Sequence, residues 1–362
     1  MLVKSLWNSL RGVFMKKHLS ELQVYSGIAI LFVTLIHSNA FFLLSILHLK
    51  TYVQVGFVFN LVDKVVHVAV PMFIFISGYK YEMQDKNEKY TKLIYKKFTK
   101  IIKPFLIVSI CWILFEWGKL CVENIILHDP VNIYYVFINC LKDLFNTFLG
   151  DNFAYQLWYI PMYTLVVFSY PIIIKFLKNS RIRLIILYII AIIITVIQNK
   201  TKLLASPHMQ PINFIYYFYL YELGVQLYSK RIKKKYIKIT IISYLFLLPV
   251  VSLIKDPLIS NLSTNLIFTP IAVFAMYYIA VYLKNSKILL ILGKYSFAIY
   301  LFHEPFFVSK TSRLLVSHGL YSSKVMIPFI AVGSIILSIC FYKILIKTSL
   351  GKYVFNIKDN FN

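Results

Sequence analysis

Two histidines of this chain lie inside long apolar segments, where an ionisable side chain is unusual. His37 and His303 are each surrounded by residues such as Leu, Ile, Phe and Ala, over stretches long enough to enter a bilayer. An ionisable group at membrane depth is costly to desolvate, so it usually faces a polar cavity and takes part in transport or chemistry. The alternative for either residue is a neutral imidazole hydrogen-bonded between helices.

Other ionisable residues are predicted at a similar depth. A helical rise of about 1.5 Å per residue places both histidines about 20 Å from the inner boundary, and Asp63 of a second apolar segment about 18 Å from it. Asp63 and His67 are four residues apart, so the carboxylate can orient or charge-pair with the imidazole on one helix face. The sequence predicts that these groups share one polar cavity with Glu116 and Glu304.

A cavity of this kind could support acyl transfer. A histidine with a pKa near neutrality can accept the proton of an alcohol while that alcohol attacks an acyl carbon. The reaction also needs an acyl donor and a group that stabilises the developing oxyanion. Basic residues before Pro104 would suit the phosphates of a polyanionic donor, although they could equally set topology or bind anionic lipid. These residues are Lys96, Lys97, Lys100 and Lys103.

Composition indicates the elements that must position these residues. Of the 362 residues 59% are hydrophobic and only 15% are charged, whereas soluble domains carry about 25% charged residues. We expect an all-α integral membrane protein with about ten transmembrane helices, since about 20 apolar residues cross a bilayer. The predicted spans are 24–44, 55–79, 101–122, 157–177, 184–198, 211–228, 239–254, 265–283, 288–308 and 325–346.

The net charge of +25 is concentrated in alternate loops, starting with the segment before the first span. This distribution argues against nucleic acid as a partner and, by the positive-inside rule, predicts that both termini are cytoplasmic. We expect a basic lead over 1–20 on the inner membrane surface, one membrane domain over 21–346 and a short cytoplasmic tail over 347–362. An amphipathic run within the external segment 123–156 predicts an interfacial helix, as a lid or a connector. The four cysteines predict neither a metal site nor a disulfide framework.

Four motifs in order carry a family resemblance. They are Ser26-Gly-Ile-Ala-Ile-Leu-Phe-Val-Thr-Leu-Ile-His37, Pro71-Met-Phe-Ile-Phe-Ile-Ser-Gly78, Leu157-Trp-Tyr-Ile-Pro161 and Gly293-Lys-Tyr-Ser296-Phe-Ala-Ile-Tyr300-Leu-Phe-His303-Glu-Pro305. Together they resemble the acyltransferase-3 family of bacterial integral membrane O-acyltransferases over nearly the whole membrane domain.

The resemblance implies that an acyl group, often acetyl, passes from cytosolic acyl-coenzyme A to a hydroxyl of an extracytoplasmic glycan or lipid-linked sugar. The expected location is the bacterial plasma membrane, with acyl-coenzyme A as a substrate and no permanently bound cofactor.

The resemblance also implies roles for single residues. His37 matches the family's catalytic histidine, a general base, while Asp63 and His67 would support it. Lys97 and Lys100 fall where the family has an arginine pair. Tyr300 and His303 would complete the site or hold the acceptor, and Trp158 and Tyr159 would stack on sugar or lie in the interfacial aromatic belt.

One position departs from the family pattern. Ser26 stands eleven residues before His37, where the family has an arginine. A substitute for that charge would be needed, such as Lys64 or a loop lysine. Two other functions therefore stay open: a transporter or exporter of a polar solute that uses the same buried ionisable residues, and a family member that has lost catalysis and assembles with envelope enzymes.

Overall fold

The computed structural model describes residues 20–38, 57–84, 90–126, 133–148, 155–200, 214–229, 234–308, 311, 318 and 326–357, and no strand occurs among them. The helices are α1 (Ser20–Ser38), α2 (Phe57–Val66), α3 (Ala69–Met83), α4 (Tyr90–Lys97), α5 (Lys103–Ile126), α6 (Ile133–Phe148), α7 (Tyr159–Phe176), α8 (Ser180–Lys200), α9 (Phe214–Ser229), α10 (Lys234–Leu253), α11 (Pro257–Leu262), α12 (Thr269–Tyr282), α13 (Lys287–Lys294), α14 (Ser296–Phe302), α15 (Met326–Leu345) and α16 (Ser349–Val354). A 3-10 turn covers Tyr155–Trp158, and π-helical segments cover Phe98–Ile102, Ser263–Phe268 and His303–Phe307.

The helices have apolar outer faces, as an integral membrane protein requires. In α8 the buried residues Leu187, Ala191 and Thr195 recur every turn. Between its charged ends the exposed positions of the same helix are also apolar, among them Ile185, Ile189 and Ile193. A soluble helix would expose polar residues there, so this face is suited to lipid. The chain is an all-α integral membrane protein.

Within the described residues, eight helical stretches are long and apolar enough to cross a membrane. One of them joins α2 to α3 across the turn at His67 and Val68, and two others each include a π-helical segment. They correspond to eight of the ten predicted spans. Of the other two, 211–228 is represented by the 16-residue helix α9, and 288–308 is not one continuous helix, because it is divided among α13, α14 and the third π-helical segment. The number of spans and the location of the termini stay predictions, and the predicted lead falls almost entirely outside the described residues.

The described residues group into two compact units. The first draws on Met1–Met83, Leu220–Tyr300 and Val308–Ile335, and the second on Gln84–Tyr219, Leu301–Phe307 and Ile336–Asn362.

Glycines allow very close helix crossings in the first unit. A Cβ on Gly78 would overlap the carbonyl oxygen of Tyr221, and a Cβ on Gly224 would overlap that of Phe75. The same reciprocal arrangement joins α1 and α13, where a Cβ on Gly293 would overlap the carbonyl oxygen of Gln23. Small residues of this kind let membrane helices pack backbone to backbone.

In the second unit, α5 and α6 are joined by a polar contact. The indole N–H of Trp117 donates to the Asp143 carboxylate at 2.8 Å. The outer surface of α6 is apolar, with Phe137, Leu141 and Phe145 exposed. The amphipathic helix predicted in this segment is therefore present; whether it acts as a lid or a connector stays open.

Prolines explain two of the π-helical segments. A proline lacks the N–H that would bond to the carbonyl four residues earlier, and its ring clashes with that carbonyl. Before Pro104 the chain widens, so that the Lys103 N–H bonds to the Phe98 carbonyl, five residues back. Before Pro270 the Thr269 N–H bonds in the same way to the Thr264 carbonyl. Such segments often coincide with functional sites.

Two other helix breaks also precede prolines. Pro71 opposes a helical bond to the carbonyl of His67, and a turn at His67 and Val68 separates α2 from α3. Glu304 directly precedes a proline in the sequence and has φ −132° and ψ 133°, outside the helical region. A residue before proline is disfavoured in the α region, so the sequence itself accounts for both breaks.

Candidate active site

Helix α1 is fixed at its first half and carries His37 at its other end. The Gln23 side-chain amide donates to the Leu290 carbonyl at 2.7 Å, and the buried Tyr25 hydroxyl donates to the Val273 carbonyl at 3.2 Å. These bonds tie α1 to α13 and α12. His37 is half-buried and is the penultimate described residue of the helix. The hydroxyls of Thr34 and Ser38, on the same helix, donate to carbonyls of α1.

Helix α2 and the first residue after it carry a polar stripe on one face, defined by Asn60, Asp63, Lys64 and His67. The spacing i, i+3, i+4 and i+7 places all four side chains on one side of a helix that is otherwise apolar. The Asn60 amide donates to the Ser252 carbonyl of α10 at 2.7 Å. The Lys64 ammonium donates to the Thr264 hydroxyl of the second π-helical segment at 3.1 Å. These two bonds fix the direction in which the stripe faces.

The predicted pairing of Asp63 and His67 is confirmed. The Nδ1 atom of His67 lies 3.1 Å from a carboxylate oxygen of Asp63 and 2.8 Å from the Asp63 carbonyl oxygen. The side chains are 53% exposed for His67 and 30% exposed for Asp63, so the pair is open on one side. With Nδ1 directed at Asp63, the Nε2 atom is the ring nitrogen that can meet a ligand.

Three of the four lysines predicted to suit the acyl donor, Lys97, Lys100 and Lys103, have different surroundings. The Lys97 ammonium donates to the Tyr163 hydroxyl of α7 at 2.6 Å and lies 5.3 Å from the centre of that ring. Lys100 is exposed. Lys103 donates to the carbonyl of Tyr353 in α16 at 2.6 Å and lies 3.3 Å from the centre of its ring. Lys97 and Lys103 are therefore held by different helices.

Lys97 is linked to the aromatic residues predicted to meet the acceptor. Tyr163 is buried, and its ring centre lies 5.5 Å from that of Tyr159 at the first turn of α7. Trp158 ends the 3-10 turn before α7 and is half-buried. A lysine of the predicted donor segment and a predicted acceptor residue thus both contact Tyr163.

His303 and Glu304 are both buried at the helix break before Pro305. Irregular backbone inside a membrane is tolerated where it is enclosed by protein or lines a cavity. Ionisable residues inside a membrane usually mark a functional site. A histidine and a carboxyl at such a break are therefore candidate site residues. Tyr300 is also buried, one turn earlier in α14. Glu116 is half-buried one turn after the buried Trp112 of α5. No group of three or more metal-ligating side chains is found in the described part of the chain.

Comparison with known proteins identifies the family. A family model described as an acyltransferase domain matches residues 24–343. The chain belongs to the acyltransferase-3 family. Neither the curated proteins nor the solved structures include a match to this chain.

Membership of the acyltransferase-3 family makes the protein a multi-pass membrane acyltransferase. Ser26 is a buried residue whose hydroxyl donates to the Leu22 carbonyl of its own helix at 3.0 Å. This small side chain is satisfied locally and carries no charge, whereas the polar stripe of α2 carries Lys64.

Sequence reasoning missed Tyr163 and Thr264 of this acyltransferase-3 protein. Tyr163 accepts a hydrogen bond from Lys97, which is a predicted donor-binding residue. Thr264 accepts one from Lys64, which directly follows the predicted site residue Asp63. The prolines gave a usable signal for Thr264, because Pro270 follows it by six residues and widens the helix at that point. Within the first unit the geometry supplies a hydrogen-bonded imidazole beside an oriented ammonium group, which suits proton transfer. Within the second unit it supplies an oriented ammonium group beside aromatic rings.

Proposed function

We propose that the protein is an O-acyltransferase of the plasma membrane that moves an acyl group, acetyl in the simplest case, from cytosolic acyl-coenzyme A to a hydroxyl of an extracytoplasmic glycan or lipid-linked sugar. The family match over residues 24–343 is the observation that carries this proposal. The half-buried His37 and the Asp63–His67 pair support it, since both offer imidazole within apolar segments of the chain.

The reaction is a single acyl transfer. The His37 imidazole accepts the proton of the acceptor hydroxyl as the hydroxyl oxygen attacks the thioester carbonyl. The new C–O bond forms, the C–S bond breaks, and the coenzyme A thiolate takes up the proton. Asp63 holds His67 in one orientation, and the Lys64 ammonium beside this pair offers positive charge to the developing oxyanion. Lys97 and Lys100 contact the phosphates of the donor, while Trp158 and Tyr159 stack on the sugar.

The direct test uses purified protein in liposomes with radiolabelled acetyl-coenzyme A. The proposal expects hydrolysis of the thioester, or transfer of the label to a glycan acceptor supplied on the other side of the membrane. Absence of acyl turnover with every hydroxyl acceptor tested, in a sample that remains folded, would overturn it. Flux of a polar solute without acyl turnover would instead support a transporter.

Tyr163→Phe is expected to weaken donor binding. The substitution keeps the aromatic ring but removes the oxygen that accepts from Lys97. A hydrogen bond to a charged group contributes about 1.5–3 kcal/mol, so the KM for acetyl-coenzyme A should rise about tenfold. Lys178→Met, which removes an exposed lysine outside this segment, is the control and should leave KM unchanged. Equal KM values for Tyr163→Phe and the wild type would remove Lys97 from the donor site.

Asp63→Asn is expected to lower kcat about tenfold, because a neutral amide holds the His67 ring less strongly than a carboxylate. The amide has nearly the same shape, so folding and the KM for acetyl-coenzyme A should be unchanged. Asp256→Asn is a matched control, since Asp256 caps α11 through its carboxylate and asparagine is an equally good cap. A kcat equal to that of the control would show that the pair has no part in turnover.

A further inference from the structure

The segment Thr348–Ile357 is locally well specified, although the sequence predicted only a tail. The Thr348 hydroxyl donates to the Leu345 carbonyl at 2.7 Å and accepts from the Gly351 N–H at 3.0 Å, which caps the start of α16. A Cβ on Gly351 would overlap the Leu345 carbonyl oxygen, so the chain turns back tightly there. These contacts fold α16 against the end of α15.

The other end of α16 is closed by a Schellman motif. Asn356 has a positive φ of 51°, which asparagine tolerates better than most residues. The Ile357 N–H bonds to the Lys352 carbonyl at 2.9 Å, and the Asn356 N–H bonds to the Tyr353 carbonyl at 3.3 Å. This is the bond pattern of such a helix end. The segment is therefore a capped helix with a fixed position on the second unit.

One side of this segment holds the start of α5. The Lys103 ammonium donates to the Tyr353 carbonyl at 2.6 Å and lies 3.3 Å from the centre of the Tyr353 ring. Both interactions are of the strong kind, a charge-assisted hydrogen bond and a cation–π contact. The π-helical segment Phe98–Ile102 lies between Lys97 and Lys103. The contact thus anchors the predicted donor segment.

The other side of the segment holds the helix break. The Phe355 ring centre lies 4.9 Å from that of Tyr342 and 6.3 Å from that of Phe302. Phe302 is fully buried and also packs on Phe341, with ring centres 4.9 Å apart. The next residues are His303 and Glu304, where the helical ladder is interrupted. The packing of Phe302 is therefore one of the contacts that hold the chain at this break.

We propose that Thr348–Ile357 is a clasp that holds the His303–Glu304 break and the Lys97–Lys103 segment at fixed positions in the second unit, so that Phe355 and Tyr353 are positioning residues for acyl transfer. The catalytic part of this inference rests on the proposed function. The clasp begins after residue 343, where the family match ends, so it is not part of the matched domain.

The test compares Phe355→Ala, Phe355→Leu and Leu350→Ala. Amide hydrogen exchange measured by mass spectrometry should rise over 301–307 in Phe355→Ala, because Phe302 loses a packing partner, and should return towards the wild-type rate in Phe355→Leu. Leu350 is 60% exposed on the same helix, so Leu350→Ala should leave exchange unchanged. This readout needs no turnover and therefore tests the clasp even if the proposed transfer from acyl-coenzyme A to a glycan is not found.

The kinetic arm uses the same variants. Phe355→Ala should lower kcat about tenfold with less than a twofold change in the KM for acetyl-coenzyme A, and Phe355→Leu should recover most of the loss; the tenfold figure corresponds to about 1.4 kcal/mol. If Phe355→Ala does not fold, Tyr353→Ala replaces it and should raise exchange at 98–104. Unchanged exchange over 301–307 in a folded Phe355→Ala protein would overturn the clasp. Raised exchange with unchanged kcat would overturn its role in positioning.

Discussion

His37→Ala is expected to lower acyl transfer by about 10²- to 10⁴-fold, which is the usual contribution of a general base. The alanine variant keeps the membrane fold, because α1 is anchored by Gln23 and Tyr25 at the opposite end of the helix. The KM for acetyl-coenzyme A should change little, since the base acts on the acceptor hydroxyl in the transition state. Turnover of radiolabelled acetyl-coenzyme A in liposomes measures both constants.

Two comparisons separate catalysis from folding in this experiment. His318→Ala removes an exposed histidine and should retain full activity. The melting temperature of His37→Ala in detergent should lie close to that of the wild type. A folded His37→Ala protein with activity within threefold of the wild type would mean that another group accepts the proton.

Gly293→Ala is expected to prevent accumulation of correctly folded protein, or to lower its melting temperature strongly. The added methyl group would overlap the Gln23 carbonyl oxygen, which belongs to the backbone of α1 and cannot rotate away. Helices α1 and α13 would have to separate, and the hydrogen bond from Gln23 to Leu290 would be lost with the crossing. Overpacking of this kind costs about 1–3 kcal/mol and occasionally more.

Gly333→Ala is the matched control for this prediction. Gly333 lies inside α15, and a Cβ there would meet no atom within 4 Å. Alanine has a higher helix propensity than glycine, so this variant should be as stable as the wild type or slightly more so. Thermal unfolding monitored by size-exclusion chromatography compares the two. Equal melting temperatures would mean that α1 and α13 do not cross as closely as the structure indicates.

Local spacing was enough to predict the Asp63–His67 pair. Residues four apart on a helix must be neighbours. Helix α2 forms because its residues are mostly apolar and the first proline after it, Pro71, lies in α3. Composition alone likewise predicted membrane helices with lipid-facing apolar surfaces. These features depend on short stretches of chain, so tertiary structure is not needed to derive them.

Features that depend on contacts between distant segments could not be derived. Lys97 and Tyr163 are 66 residues apart, and nothing distinguishes Tyr163 among the 28 tyrosines of the chain. Gly293 is one of 11 glycines, and only the crossing of α1 with α13 shows why it matters. The break at Glu304 was predictable from the following proline, but the apolar run 288–308 favoured a single span.

The two π-helical segments before Pro104 and Pro270 set the rotational phase of the helices on either side. Each segment accommodates one more residue per turn than an α-helix would. Because the wide turn absorbs that extra residue, the helices on either side keep the phase of one continuous helix. Losing a residue inside α5 instead would shorten the chain by only about 1.5 Å along the axis but would turn the part before it by about 100°. Lys97 would then swing away from Tyr163, while the apolar length that crosses the bilayer would hardly change. A single-residue gap inside α5 therefore leaves insertion into the membrane intact and removes the alignment of polar groups, whereas a gap in the π-helical segment itself is tolerated.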